Sequence, residues 1–376
     1  MIESITLENF KSHRSTHLTF DKSRLHALVG QNSSGKTSVL EALHYMSQLT
    51  TRRIDSIFSH NKSPEFITTF NKRIMNVTIK GNLKDFPEIK WKSFYRHQKT
   101  PSKWQSSSNF CVNNKGFHLY ELQQNIMKQN LKDIIPNFLK SSVYLKLTES
   151  DLKKAAYSEK ISPELENDGL APTLDYIRNE ASENFQMLKE MLKKIVPTVK
   201  DIGIRRAKVA LNRQRSIEVN GKLIPYEENQ ELIGQEVILD MNTGERLPAH
   251  LISEGTMLAL GLLTVLMHPK QPNLVLLDDI EQGLHPKAQR ELMDVLKEIL
   301  KSNENLQIIL STHSPYIIDE LNPSQVHVLN NTHSGFTVTK RLDEHPDIEW
   351  AKKTLTTGEF WDAEGEEWVV GSEVSE

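Results

Sequence analysis

The segment "GQNSSGKTS", Gly30 to Ser38, limits what this 376-residue chain can fold into more than any other feature. It follows an apolar run containing Leu25, Ala27, Leu28 and Val29, and it precedes Val39, Leu40, Leu43 and Met46, which recur at helical spacing. Strand, glycine loop, helix is the local order, and the loop fits G-x-x-x-x-G-K-[ST]. Chemistry accounts for each residue type. Gly30 and Gly35 let the backbone curl so that amide N–H groups point at phosphate oxygens, with Gln31, Asn32, Ser33, Ser34 and Ser38 completing the cradle. Lys36 neutralises β/γ-phosphate charge, and the Thr37 hydroxyl stands where it can ligate Mg²⁺ at the helix N-terminus. The plainer alternative is a glycine-rich turn leading into a helix.

A second constellation is "LVLLDDIEQGLHP", residues 274–286. Four apolar residues read as a buried parallel strand, which places Asp278 and Asp279 at its carboxyl end, where open α/β sheets put their ligands. Alone, these acids read as ordinary loop residues. Beside a phosphate loop, Asp278 becomes the expected Mg²⁺ carboxylate and Asp279 stands where a general base would act on the attacking water. Two weaker elements flank that strand. "LISEGTMLALGLL" opens an apolar helix with Ser253, Glu254 and Gly255, which read either as a simple N-cap or as a phosphate-facing helix start. "LQIILSTHS" ends a further buried strand at His313, which reads either as a core histidine or as a phosphate sensor.

Composition excludes several classes. Hydrophobic residues at 38% and charged residues at 25% describe an ordinary soluble protein, and a net charge of −3 gives no global pull toward nucleic acid or anionic membrane. Cys111 is the only cysteine, so neither an intrachain disulfide nor a Cys-x-x-Cys metal knuckle can form. "MLALGLLTVLM" is too short to span a bilayer, and the N-terminus lacks a signal-peptide profile, so a cytoplasmic protein is expected.

Elsewhere the pattern predicts strands near the N-terminus, at "RIMNVTIKG" and "WKSFYRH", and a hairpin from "VHVLN" and "FTVTK". Helix is expected over 172–196 and from Lys287 to about Lys301, and "KTPSKWQSSSNF" reads as a mobile loop.

In this order the four chemical elements resemble the ABC-type ATPase heads of the SMC, RecF and OLD group. The resemblance covers about the first 50 residues and roughly 250 to 320. "MIESITLENFKSH" is similar to the group's opening strand, with Phe10 and Lys11 as its aromatic and basic residues; Ser253 to Gly255 resembles the ABC signature, "EQGLHP" the D-loop and His313 the switch histidine. The resemblance implies an α/β P-loop NTPase fold, an ABC-ATPase-type head with an antiparallel β subdomain and a helical lobe. It implies ATP and Mg²⁺ as ligands, a nucleotide-binding role for Lys11, catalytic roles for Lys36, Asp279 and His313, and metal binding by Thr37 and Asp278. Ser253, Glu254 and Gly255 of one copy would reach the nucleotide of another, making the protein a dimer or higher oligomer. One position departs from the family: the usual catalytic Glu is Asp279, so slow hydrolysis, or help from Glu281, is expected. One head over 1–376 is anticipated, with 1–145 and 250–340 forming the nucleotide-binding lobe, 146–249 a mainly helical lobe and 341–376 an acidic-aromatic tail.

The stretch after His313 is too short for the Toprim domain of OLD nucleases, so the likeness is to stand-alone ATPase subunits that control a separately encoded nuclease or toxin in anti-phage defence. Two surfaces are candidates for partners. Arg205, Arg206, Lys208, Arg213 and Arg215 form a basic segment that either tracks DNA or is a solvated face. The end of the tail, residues 356–376, with seven acids and no Lys or Arg, holds Phe360, Trp361 and Trp368, which either dock on this head or receive an effector. A RecF-like DNA repair ATPase and, at greater distance, a transporter's ATP-binding subunit are the rival readings.

Overall fold

The computed structural model describes residues 1–48, 57, 67–83, 86–98, 103–112, 115–118, 142–146, 148–219 and 222–371. They divide into two compact units. The first holds residues 1–146, 272–281 and 296–376, and the second holds 147–271 and 282–295.

In the first unit a six-stranded sheet runs in the order β15 (Thr337–Arg341), β14 (Val326–Asn331), β3 (Leu25–Val29), β13 (Gln307–Ser311), β12 (Leu274–Leu277), β8 (Ser142–Leu145). Every residue of β3, β12 and β13 is buried, as the apolar runs require of central strands covered on both faces. Because β14, β3, β13, β12 and β8 are parallel, their carboxyl ends share one edge. The segments after β3, β12 and β13 are three of the four that the sequence marked for chemistry, and this topology brings those three together. Helix α1 (Lys36–Gln48) follows β3 and buries Val39, Leu40, Leu43 and Met46 in a core shared with Ile5, Leu7 and Phe10.

The second sheet of this unit is antiparallel, ordered β2 (His13–Thr19), β1 (Ile2–Phe10), β4 (Ile74–Leu83), β5 (Phe86–Gln98), β6 (Lys103–Val112), β7 (Lys115–His118). It includes both strands expected at 70–98. It also corrects one expectation: much of "KTPSKWQSSSNF" is strand β6, paired along its length with β5, while residues 99–102 lie outside the described set. The run is polar and serine-rich, so it shows no alternation of the kind that marks a half-buried strand.

The second unit contains α2 (Leu170–Glu180), α3 (Ser182–Ile195), α4 (Glu254–Leu266) and the start of α5 (Pro286–Ser302). Helix α3 buries Phe185, Leu188, Leu192 and Ile195, the stripe read from the sequence. The single helix expected over 172–196 is in fact two, broken at Ala181, where φ is −143°. The junction "NEASEN" is rich in Asn and Ser, which compete with the helix for hydrogen bonds, and Asn184 donates to the Met267 carbonyl at 3.0 Å.

The larger correction concerns 146–249, expected to be mainly helical. Its second half is a long antiparallel hairpin, β9 (Val199–Val219) and β10 (Lys222–Met241), with β11 (Arg246–Pro248) on the other edge of β10. Residues 250–271, expected in the nucleotide-binding lobe, belong to this second unit. From Arg205 to Ala210 no residue of β9 is buried, so this stretch has no apolar face to betray its period. The sequence did carry a hairpin signal: Asn220-Gly221 separates the two strands.

Beyond the central sheet, α6 (Ile348–Thr354) and α7 (Thr357–Glu364) bring the tail back onto the first unit. Thr356 and Glu359 form a capping box at the start of α7. Phe360 is 1% exposed and packs edge-on against His345, and Trp361 is buried too. Of the two readings of these aromatics, packing on their own unit is the one the structure gives for Phe360 and Trp361. Residues 372–376 lie outside the described set.

Candidate functional site

Lys36 is 5% exposed, and its ammonium donates to the carbonyls of Gly30 at 2.8 Å and Gln31 at 3.0 Å. The loop thus curls around its own lysine. Burial lowers the Lys36 pKa, while the carboxylates of Asp279, Asp278, Glu281 and Glu366 oppose that shift and favour the charged form. Ser34 is buried, and its hydroxyl has no hydrogen-bond partner in the structure, an orphaned polar atom within the loop.

Asp278, at the tip of β12, is the hub. Its Oδ1 accepts from Thr37 Oγ1 at 3.0 Å and from Ser311 Oγ at 2.7 Å, and its Oδ2 accepts from the Tyr144 hydroxyl at 3.1 Å. Lys146 Nζ stands 3.9 Å from the same Oδ2. Burial, then the charges of Asp278 and Glu41, push the Tyr144 pKa far above the usual phenol range, so Tyr144 stays a donor. The next residue differs. Asp279 is exposed and sits in the left-handed region at φ +50°, a conformation that Asp tolerates better than most residues. Its N–H donates to Ser311 Oγ at 2.8 Å, and the following N–H, of Ile280, donates to the Ser311 carbonyl at 3.3 Å. Ser311 Oγ also lies 3.4 Å from Asp279 Oδ1, so the second acid stays beside the hub while facing solvent.

Glu281 binds the segment after β13. Its Oε1 accepts from the His313 N–H at 2.7 Å and its Oε2 from Thr312 Oγ1 at 2.8 Å. Both oxygens are engaged, and Glu281 holds the His313 backbone. Lys11, expected at the nucleotide, forms an ion pair with Glu41, one helical turn beyond Thr37. Lys36, Thr37, Asp278, Asp279, Glu281 and His313 are thereby gathered at one sheet edge.

Ser253 to Gly255 lies in the second unit. Ser253 occupies the N-cap position of α4, yet its hydroxyl bonds that of Thr256 at 2.8 Å and makes no cap to a backbone N–H. The plain N-cap reading therefore lacks its hydrogen bond. A Cβ on Gly255 would meet the Gly283 carbonyl oxygen at 2.2 Å, so the helix start and the D-loop-like turn can only approach this closely through glycine. Glu254 accepts from Gln282 across the same contact at 2.8 Å.

The basic segment fares differently. Arg205 pairs with Glu236, and Lys208 pairs with Glu231 at 2.9 Å, across the β9–β10 ladder. Side chains of Arg213 and Arg215 lie outside the described set. The charges counted from sequence are at least partly cancelled within the hairpin itself.

Several contributors escaped sequence reasoning. Ser311 and Tyr144 are one polar residue in a buried strand and one aromatic in an unremarked short strand, and only the parallel pairing of β8, β12 and β13 aims them at Asp278.

With this geometry in view, comparison with known proteins is direct. Residues 132–319, half of the chain, match the family described as "AAA domain, putative AbiEii toxin, Type IV TA system", and residues 1–140 match the "AAA ATPase domain" family. The chain belongs to this AAA-domain ATPase family. A Helicobacter pylori "ATP/GTP phosphatase" is 23% identical, covering 85% of this chain and 87% of its own. The "Retron Vc95 probable ATPase" of Vibrio cholerae is also 23% identical, over 88% of this chain and 73% of its own length. Among solved structures, an SMC head bound to the C-winged helix domain of ScpA superposes with a TM-score of 0.59 at 16% identity, covering 91% of this chain and 98% of that one. A second SMC head with an extended coiled coil, bound to the C-terminal domain of ScpA derived from Pyrococcus furiosus, gives 0.56 at 14% identity, covering 94% and 99%. The AAA-domain ATPase therefore has the α/β P-loop fold of SMC heads. Among the described residues no helix is long and apolar enough to cross a membrane.

Proposed function

We propose that this AAA-domain ATPase is an ATP-binding and hydrolysing switch whose heads associate through shared nucleotide sites and govern a separately encoded effector, a nuclease or toxin, in anti-phage defence. The observation that carries the catalytic part is the 3.0 Å contact between Thr37 Oγ1 and Asp278 Oδ1, beside a buried Lys36. A hydroxyl and a carboxylate that close can share one small cation. Among the described residues no cluster of three or more His, Cys, Asp or Glu could cage a metal, so this sparse donor set suits an ion that keeps its waters and takes phosphate oxygens, as Mg²⁺ does. When bound, that ion would neutralise charge developing on the phosphoryl oxygens.

The chain's own groups divide the remaining work. Loop N–H groups and Lys36 hold the β- and γ-phosphates. Asp279, exposed and without the Thr37 and Tyr144 contacts that hold Asp278, accepts a proton from the attacking water. His313, its backbone held by Glu281, senses the γ-phosphate. Ser253, with a hydroxyl not used as a cap, is offered to the nucleotide of a second copy. The likeness to a retron ATPase supports an effector-governing role. Direct DNA readout by the 203–216 segment is the weaker alternative, because Arg205 and Lys208 already have acidic partners.

The test is ATP binding by purified protein against Lys36→Ala. Removing a charged donor should weaken binding about 100-fold. Equal binding by the two proteins, or none by wild type, would remove this reading.

A further inference from the structure

The phosphate loop is gripped from its outer side by residues drawn from both ends of the sequence, His13 on one hand and Asn331 and Thr337 on the other. Three successive loop carbonyls each accept a side-chain donor: Ser33 O from Asn331 Nδ2 at 3.0 Å, Ser34 O from Thr337 Oγ1 at 3.0 Å, and Gly35 O from His13 Nε2 at 3.1 Å. Asn331 ends β14, Thr337 opens β15, and His13 opens β2. A brace stands behind them. Thr337 N donates to the Ser12 carbonyl at 2.9 Å, and the Ser12 and Thr337 hydroxyls are 2.7 Å apart. Thr337 Oγ1 spends its one hydrogen on Ser34 O, so Ser12 is the donor of that pair. His13 Nδ1 and Thr16 Oγ1 are 3.0 Å apart, which fixes the ring from its far side. Because a carbonyl only accepts, the neutral ring must carry its hydrogen on Nε2.

A planar trans peptide points its N–H opposite its C=O. Holding the Ser34 and Gly35 carbonyls outward therefore turns the N–H groups of Gly35 and Lys36 to the inner side of the loop, while the Ser34 N–H closes the loop onto the Gln31 carbonyl at 3.2 Å. Gly35 is integral to this arrangement. Its φ is +101°, and a Cβ there would meet Thr337 Oγ1 at 2.6 Å and His13 Nε2 at 2.8 Å. His13 is wholly buried and Thr337 is 2% exposed, so neither can trade its loop contact for water.

We propose that Asn331, Thr337 and His13 are positioning residues that clamp the phosphate loop in its nucleotide-ready form without touching the nucleotide. The inference rests on the nucleotide-binding reading above. Without the clamp, the loop peptides regain rotational freedom that binding must then remove, so the loss appears in affinity.

The experiment measures binding of a fluorescent ATP analogue by anisotropy and the melting temperature of the nucleotide-free protein, for wild type, Thr337→Val, Thr337→Ser and Asn331→Ala. Thr337→Val keeps the shape and removes the donor; it should bind about tenfold more weakly, and Thr337→Ser, which restores the hydroxyl, should stay within about twofold of wild type. Asn331→Ala, at a partly exposed position where folding is less at risk, should also weaken binding several-fold with little change in melting temperature. Melting temperatures that fall while affinity stays at the wild-type value would make the contacts merely structural and overturn the clamp. If Thr337→Val does not fold, wild-type affinity in Asn331→Ala overturns it alone. Failure of wild type to bind at all would remove the nucleotide reading and the clamp together, a result distinct from wild-type binding with unaltered variants.

Discussion

The phosphate loop and the β9–β10 hairpin both look, in sequence, like places for an anion, and they reach opposite outcomes. The loop contributes a single cation, Lys36, which gives two of its three N–H donors to loop carbonyls and keeps its charge unmatched by an ion pair among the described residues, with a buried serine hydroxyl that has no partner in the structure. The hairpin contributes several basic residues, but Arg205 and Lys208 are matched across the ladder by Glu236 and Glu231. Counting charges would favour the hairpin. What makes an anion site is the supply of oriented donors that folding leaves unanswered, because donors already paired must be released before a ligand can use them.

The sharpest way to test that contrast is at the solvent-facing acid. Asp279→Asn removes a base but leaves Lys36, Thr37 and Asp278 in place, so hydrolysis should fall by about 10³-fold while ATP affinity stays near wild type. Single-turnover phosphate release and equilibrium binding separate the two. Sedimentation with ATP should show the associated form accumulating in Asp279→Asn, since the nucleotide that links two heads would no longer be consumed. A variant that hydrolyses at the wild-type rate would place the base elsewhere.

Acid should strike the two regions unequally. Burial, against the pull of the Gly35 carbonyl, lowers the His13 pKa from 6.5 to about 4, and burial beside His26 lowers that of His327 to about 3. Between pH 6.5 and 4 the unfolded chain binds protons at these positions that the folded chain does not, so stability is whole above about 6.5 and is lost as pH falls. For His13 alone the loss by pH 5 is about 2 kcal/mol. No histidine lies in β9 or β10. Urea melts at pH 7 and pH 5 check this, and His13→Asn should flatten the dependence; an unchanged slope in that variant would show that other groups govern it.

How much of this could be read beforehand follows from the range of the interactions. The loop, the helix after it and the acids after β12 are local patterns of one strand and its sequel, and the sequence displays them whole. His13 was visible within "NFKSH", but its task depends on Thr337 and Gly35 meeting it, which no local pattern records. Tyr144 and Ser311 were invisible for the same reason. The hairpin failed differently: from Arg205 to Ala210 β9 buries nothing, so neither a helical nor a strand period is imposed on it. The resemblance placed Lys11 at the nucleotide, but its ion pair with Glu41, a residue 30 positions on, is recorded by no local pattern.

A finer test asks whether a paired carboxylate near the loop behaves like the hairpin's pairs or like part of the site. Glu281→Gln offers one acceptor where two donors, the His313 N–H and Thr312 Oγ1, now meet a carboxylate. Turnover should fall about tenfold with ATP affinity held, and the effect should not add to that of His313→Ala. Additive losses would mean that Glu281 acts independently of His313.

The smallest effect is expected on the hairpin. Arg205 Nε and Glu236 face each other on an exposed ladder, with the arginine side chain 51% exposed, so solvent screens the pair. A double-mutant cycle of Arg205→Ala and Glu236→Ala should give a coupling below about 1 kcal/mol in stability, and neither single variant should alter ATP turnover. The Glu236→Ala member carries the comparison furthest, because it frees a cation without adding one. If salt-dependent binding to double-stranded DNA appears in Glu236→Ala and is absent in wild type, the pairing is what suppresses the hairpin as an anion surface. If wild type already binds DNA with the same salt slope, then paired charges are no obstacle, and the distinction between answered and unanswered donors loses its force for this chain.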